Sequence, residues 1–600
     1  MPAYALRQLE PRGIPQETRI REIPARLCEE LDACTEVGKV EKNKLRVFLL
    51  KAGIQSITEM DYPLRQAYKE YLDQHIQKPE RYLKAYDRVK QHSVREQTRT
   101  LAGRQQCRWQ MEDQILFIPY HPDQAIVAEF DSVWNKPNMV WDFARTCSRT
   151  LKRQIFLTLN AVIEQFKEPR RREQRLSGLH FLYDFCMEKG IADIEKLEMA
   201  QIRDFGTWLE LEGRTNSESR KQQMLPILNF CRKTVFLQNE EIHWDANVWY
   251  LERLRLPKNR VNPSGSFASI SFLEIVRPDN RRHAQEYMKY QLGITGQAVS
   301  TLVTKYEGIR NFLVWLGQED ISVCECPENR IDTYLDQLQE RGIIAKTFNE
   351  YLAGIHHFFR FLVVRGHLEQ VPFHPEYHQK KVIPKHHDRS VSQEVCMEML
   401  SKLHLLPEDQ RCMYLHLWCL GLRISEVCTL KGNAYYRQGQ DAWIQVYQIK
   451  MKKYKRIPIA DGLYRIMQVY IQRKQIGPDD YLFTSKNGGP YRSATLQYQM
   501  KKFCRENEIE GGEYLFKSHD YRHTVATFFY DNGASLQSVR DYLGHNYEEM
   551  TEQYLDYGPR RIARANDEFF EEPGNRLAAH LEKKGGRNGR QVLLSGTGML

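Results

Sequence analysis

No apolar run in the 600-residue sequence approaches the roughly 20 residues that a membrane-spanning helix needs, so no membrane partner is expected. The first residues, MPAYALRQLEPRGIPQE, lack the apolar stretch of a secretory leader, which points to the cytoplasm. The 13 cysteines are scattered. The closest two, Cys324 and Cys326, have no second pair at zinc-site spacing, so reduced, mostly packed thiols are expected. There is no Walker-type glycine loop and no carboxylate cluster at metal spacing, and hence no nucleotide or metal cofactor is expected.

What is present is a long, basic, ordinary globular composition. The chain is too long for one core, with 42% hydrophobic and 27% charged residues. A net charge of +10 favours a polyanionic partner. Apolar residues recur at helical spacing in three stretches, near 40–92, 145–237 and 284–372. Leu45, Phe48 and Leu49 mark the first; Leu179, Leu182, Tyr183 and Cys186 mark the second; Ile309, Phe312, Leu313 and Leu316 mark the third. The polar text from Glu96 to Gln110 reads as a loop, and ILFI at 115–118 as a strand or buried turn. Trp141 to Phe166 reads as helix. Prolines, glycine and serines between Leu256 and Ser271 mark a linker, and the proline-bearing basic stretch from Val371 to Arg389 marks a hinge. From Trp443 to Ile459 the period changes to two, the signal of a β-hairpin.

These signals divide the chain into 1–140, a helical module of unknown role; 141–255, a second helical module; 256–283, a linker; 284–374, a third module; 375–389, a linker; 390–572, a compact domain; and 573–600, a basic flexible tail. The fold class expected is mainly α with a small antiparallel β-sheet or hairpin in the compact domain.

The residues with chemical potential lie in that domain. Ser518 is placed to cap a helix with Val525, Phe528 and Phe529 on its buried side, closed by Asn532-Gly533. His519 and Arg522 then share a face near the helix N-terminus, where the backbone favours an anion. A second helix buries Leu536, Val539 and Leu543 and ends at Gly544, holding His545 just beyond; Tyr554 follows nine residues later. Metal-free cleavage of a phosphodiester needs a nucleophile, positive charge on the non-bridging oxygens and an acid for the leaving oxygen. A tyrosine with a free pKa near 10 needs cationic neighbours or a base to attack. Tyr547 and Tyr557 compete with Tyr554 on composition alone.

In order, Gly421-Leu422-Arg423-Ile424-Ser425-Glu426, a lysine-bearing hairpin, His519-Asp-Tyr-Arg522-His, Leu543-Gly544-His545 and Tyr554 resemble the catalytic domain of the tyrosine recombinase, or phage integrase, family. The resemblance covers Ser390 to about Phe570. It extends to Lys305–Pro375 as a core-binding (SAM-like) DNA-binding domain, and the long N-terminal half is similar in layout to transposon-type members. It implies that Arg423 and Arg522 grip the scissile phosphate, His519 serves as acid/base and His545 hydrogen-bonds the phosphate. Tyr554 would attack to give a 3′-phosphotyrosine, and Lys450, placed by its distance from Arg456-Ile457-Pro458-Ile459, would protonate the 5′ oxygen. Glu426 would orient the site.

The implied function is a site-specific recombinase, integrase or transposase without cofactor, acting on double-stranded DNA as a homotetramer on paired sites. Accessory recombinases or directionality factors are possible partners, and the expected location is cytoplasmic and nucleoid-associated. Lys346, Asn349, His356 and Arg360 on the third module's last helix are candidate DNA contacts. The alternatives are a type IB topoisomerase-like relaxing enzyme and a catalytically silent sequence-specific DNA-binding protein.

Overall fold

Helices begin where the sequence offers caps and end where glycine or a polar residue can leave the helical region. The computed structural model describes residues 25–112, 114–130, 137–211, 217–265, 268–383, 389–486, 488–546 and 551. The chain divides into two compact units. One is Met1–Leu254 with Ser269–Lys289 and Arg310–Glu325; the other is Arg255–Ala268 with Tyr290–Ile309 and Cys326–Leu600.

The first unit opens with α1 (Ala25–Ala33), α2 (Lys39–Lys51), α3 (Tyr62–Asp73), α4 (Glu80–Thr98) and α5 (Leu101–Gln106). Leu45, Phe48, Leu49, Tyr68, Leu72, Tyr86 and Val89 close a core among them. The loop expected from Glu96 to Gln110 is instead largely helical. Ser93 and Val94 continue the buried stripe of α4, and the Thr100 hydroxyl accepts from the Gly103 N–H to start α5. A short helix, α6 (Gln124–Glu129), follows β1 (Ile115–Phe117). β1 pairs antiparallel with β2 (Val140–Asp142), Leu116 opposite Trp141. Trp141, expected on a helix, therefore lies fully buried on a strand, and α7 (Arg149–Gln165) starts only where Ser148 caps the Leu151 N–H.

The helices α7, α8 (Pro169–Glu188), α9 (Met199–Leu211), α10 (Glu218–Met224) and α11 (Pro226–Gln238) build the next core. The same plan recurs in α12 (Pro278–Ile294), α13 (Val299–Gln318), α14 (Glu328–Glu340) and α15 (Ala345–Val364). A detail of the connections supports the recurrence. After α8 the chain turns through Gly190 at φ 64°, and after α13 through Asp320 at φ 54°. The Ile191 N–H then donates back to Cys186 O (2.8 Å), and the Ile321 N–H to Leu316 O (2.9 Å). A 3₁₀ turn follows in both, Ile194–Lys196 and Val323–Glu325, and an amide side chain from the preceding module's first helix pins it. Gln154 Oε1 accepts from the Ile194 N–H (2.8 Å), and Asn280 Oδ1 from the Val323 N–H (2.7 Å).

The linker expected from 256 to 283 is only partly irregular. Ser269–Ser271 forms β4, paired with β3 (Val248–Tyr250), and α12 has begun by Pro278. Three-residue strands carry no period of their own, which is why both pairs escaped the sequence.

The compact C-terminal domain holds α16 (Gln393–Ser401), α17 (Glu408–Leu420), α18 (Ile424–Cys428), α19 (Asp461–Lys474), α20 (Ser493–Glu506), α21 (Asp520–Asp531) and α22 (Leu536–Leu543). The expected hairpin is present as β6 (Asp441–Gln448) and β7 (Lys453–Ile459), with β5 (Tyr435–Gln438) added to give the order β5-β6-β7. Its register sets Ile444 opposite Ile457 and Val446 opposite Lys455. Leu417, Leu422, Val427, Ile444, Phe483 and Tyr521 are among the residues that fill the core. The fold is thus mostly helical with small antiparallel sheets. All 13 cysteines are free thiols, and most of them are buried. Among the described residues no helix is long and apolar enough to cross a membrane.

Candidate active site

Glycine at 421 is a geometric requirement. It ends α17 at φ 58°, and a Cβ there would meet Val525 Cβ at 3.1 Å and Arg522 Cα at 3.3 Å. That close approach brings α21 against the end of α17. It lets Arg522 Nη1 donate to Gly421 O (2.9 Å) and sets Arg423 at the start of α18, two residues further on. Glu426 then turns back on Arg423. Its Oε2 accepts from the Arg423 backbone N–H (3.1 Å) and its Oε1 from Arg423 Nη1 (2.8 Å).

The residue before α21 is His519, which stands as its N-cap without a side-chain capping bond. The expected cap, Ser518, lies one residue outside, because the chain there is held from below: the Ser518 N–H donates to Gln497 Oε1 (3.4 Å). Phe528, expected on the buried side of α21, is 61% exposed, while Val525 is buried and Phe529 half-buried. The α22 helix behaves as expected, with the Ser535 hydroxyl accepting from the Ser538 N–H and Gly544 closing it at φ 72°. A Cβ at Gly544 would lie 2.4 Å from Gln448 Oε1, so the sheet also demands glycine there.

Arg522 is fully buried. Besides Gly421 O it reaches Leu543 O through Nη2 (2.7 Å), and the same nitrogen lies 2.9 Å from His545 Nε2. A guanidinium only donates, so Nε2 accepts. The imidazole is therefore the Nδ1–H tautomer, and that proton points at Thr551 Oγ1, 2.9 Å away. In this arrangement His545 orients Arg522. Burial, reinforced by the positive charge of Arg522, Arg423 and Lys455, pulls its pKa down to about 3. His519 is likewise drawn down to about 4, by burial first and then by His523, Arg522, Arg423 and Arg389. Both histidines are neutral at pH 7. A neutral His519 can accept a proton; Arg423 and Arg522 supply fixed positive charge.

Lys450 is exposed in the turn between β6 and β7. Two residues that the sequence reading did not single out are closer to the arginines. Gln448, fully buried at the end of β6, donates through Nε2 to Leu543 O (3.0 Å) and Glu426 Oε1 (3.3 Å). Lys455, on β7, is 6% exposed, and its Nζ donates to Tyr542 O (3.4 Å). Burial lowers its pKa to about 7; Glu426 resists the shift and Arg522 and Arg423 add to it. Burial works to raise the Glu426 carboxyl, but Lys455, Arg522 and Arg423 outweigh it and hold the group below its ordinary value. The period-two pattern contained the signal: Lys455 shares its strand face with Ile457, which faces the core. Tyr554 and its rivals Tyr547 and Tyr557 lie outside the described residues.

On α15, Lys346 and Arg360 are exposed. Asn349 is engaged with the backbone of the following hinge, its Nδ2 donating to Lys380 O (2.8 Å) and its Oδ1 accepting from the Lys380 N–H (2.9 Å). His356 is half-buried, edge-on to Phe373 at 5.9 Å.

Residues 389–560 match the family described as the phage integrase family. Transposase B from transposon Tn554 of Staphylococcus aureus is 30% identical over 322 residues, 52% of this chain and 51% of the transposase. The tyrosine recombinase XerC of Bacillus licheniformis is 23% identical over 282 residues, 45% of this chain and 88% of that protein. A solved structure of the Tn1549 transposon integrase in complex with circular intermediate DNA is 19% identical with a TM-score of 0.36, covering 48% of this chain and 98% of that one. The chain spans about half the length of the transposases it matches first.

Proposed function

This chain carries a phage integrase family domain over residues 389–560, and from that we propose that it is a DNA strand-transferase, a tyrosine recombinase of the transposon type. It cleaves and rejoins double-stranded DNA through a 3′-phosphotyrosine. The single observation that carries this reading is the meeting of Arg423 and Arg522, ninety-nine positions apart in sequence, on either side of Gly421, with the neutral His519 and His545 beside them.

The chemistry follows from that set. Arg423 and Arg522 bind the non-bridging oxygens of the scissile phosphate and stabilise the charge that builds on them. The phenolic oxygen of Tyr554 forms a bond to phosphorus while the bond from phosphorus to the 5′ oxygen breaks. The phenol proton passes to neutral His519, and Lys450 gives a proton to the departing 5′ oxygen. His545 keeps Arg522 in place. The bond energy is kept in the phosphotyrosine, and the reverse sequence with a new 5′ hydroxyl rejoins the strands. Lys346 and Arg360 contact the DNA backbone, and the active complex is a homotetramer on two sites, with any directionality factor binding outside it.

The test is a nicked suicide duplex drawn from a randomised pool enriched by binding to the full chain. A covalent protein–DNA adduct should form and disappear in Tyr554→Phe. Retention of the adduct in Tyr554→Phe with its loss in Tyr557→Phe would assign the nucleophile to Tyr557 instead. Relaxation of a plasmid without exchange between two sites would point to a topoisomerase-like enzyme.

A further inference from the structure

Three cations and one anion are buried together around α18, the start of α21 and the end of α22. Arg522 is fully buried, the Arg423 side chain is 12% exposed, Lys455 is 6% exposed and Glu426 1% exposed. A closed structural ion pair would balance its charges; this set does not. With Lys455 protonated the surplus is two positive charges, and with Lys455 neutral it is one. A phosphodiester carries one negative charge, and the pentacoordinate phosphorane on the path to cleavage carries two. The resting cluster with neutral Lys455 matches the ground state; the protonated cluster matches the transition state.

We propose that Lys455 is a positioning residue that supplies the second surplus positive charge when the phosphorane forms, acting through Glu426 and the arginine pair rather than by touching the DNA. The proposal rests on the strand-transfer reading and deepens it. Lys455 enters from β7 with its Nζ on Tyr542 O of α22 and its ammonium over the Tyr542 ring at 5.9 Å. The groups acting on it from the other elements are Glu426 of α18, Arg423 at the start of α18, Arg522 of α21, and His545 beyond α22, whose own ionisation Lys455 opposes. Gln448 of β6, bridging Glu426 Oε1 and Leu543 O, ties the carboxylate to the same carbonyl that Arg522 holds, so a change in charge at Lys455 is felt by both arginines. Since its pKa is already about 7, Lys455 can be either protonated or neutral near physiological pH. It takes its proton from solvent as negative charge enters the site.

The experiment measures single-turnover adduct formation between pH 6 and 9 at subsaturating nicked duplex, for the full-length wild type, Lys455→Met and Lys455→Arg. Wild type should slow as pH rises above about 7, by up to tenfold per unit, before levelling. Lys455→Met should be flat and at least about tenfold slower than wild type at pH 6, with an unchanged or higher melting temperature because a buried charge is gone. Lys455→Arg, permanently charged, should recover the pH 6 rate and keep it to pH 9. A folded Lys455→Met with the wild-type rate and pH profile overturns the proposal, and so does a folded Lys455→Arg no faster than Lys455→Met. A 5′-bridging phosphorothiolate, whose sulfur leaves without a proton, should rescue Lys450→Ala and not Lys455→Met. Rescue of Lys455→Met would make Lys455 the leaving-group acid and overturn the positioning role. Absence of any adduct in the wild type would instead overturn the strand-transfer reading itself.

Discussion

Two regions of this molecule bury arginine and carboxylate together, and they do so on opposite terms. In the first module Arg65 grips Asp87 with two bonds, Nε to Oδ1 at 2.7 Å and Nη2 to Oδ2 at 2.9 Å, and the Tyr120 hydroxyl donates to Oδ1 at 2.6 Å. The guanidinium lies over the Phe117 ring at 5.1 Å, so helices α3 and α4, strand β1 and the turn after it are locked by one neutral pair. In the C-terminal domain Glu426 faces Arg423, Arg522 and Lys455, with two histidines alongside that burial keeps neutral. The first arrangement is electrically complete. The second leaves positive charge surplus in a place where desolvation makes it expensive, and such a surplus is stable only if the fold is strong enough to hold it until an anion arrives.

Removing the anion from each region should separate the two most widely. Asp87→Ala leaves Arg65 buried and unpaired, and should lower unfolding stability by about 3–5 kcal/mol in urea denaturation. Glu426→Gln should cost far less stability. It should slow adduct formation by about tenfold or more, because Arg423 loses its orienting carboxylate. A Glu426→Gln variant that unfolds as readily as Asp87→Ala would erase the distinction.

Acid should weaken the catalytic region selectively. The folded-state pKa values of His519 and His545, about 4 and about 3, lie below the unfolded value near 6.5. Between those limits the unfolded chain binds protons that the folded chain refuses, so stability falls as pH drops from about 6.5 towards 4. Hydrogen exchange followed across that window should show the amides of α21 and α22 losing protection before those of α3 and α4. Equal loss in both regions would count against the assignment. The smallest effect is local: Gly544→Ala forces a left-handed alanine and should cost about 1–2 kcal/mol, more if Gln448 cannot move away from the new methyl group.

Much of the fold was legible because helix periodicity is a local signal. Leu45 to Leu49, Leu179 to Cys186 and Leu536 to Leu543 form helices, as their spacing predicts. The hairpin from Trp443 to Ile459 was legible for the same reason, its period being two. The failures share a physical cause. The strands 115–117, 140–142, 248–250 and 269–271 are too short to show a period, and their pairing partners lie some twenty residues away. The α4–α5 segment is polar because most of one face is solvated, which composition cannot distinguish from a loop. The start of α21 moved from Ser518 to His519 because Gln497 holds the chain there, a contact no local rule contains.

The sequence by itself determined the helical modules, the cysteine and glycine placements, and the identity of Arg423, Arg522, His519 and His545, since motif spacing and periodicity are carried by neighbouring residues. Only the tertiary structure decided which charges share a buried space. Gly421 had to meet α21, Gln448 had to reach Leu543, and β7 had to turn Lys455 inward before the exposed Lys450 and the buried Lys455 could be told apart. Both are lysines of one short hairpin, and burial separates their chemistry because a charge costs little in water and a great deal in a protein interior.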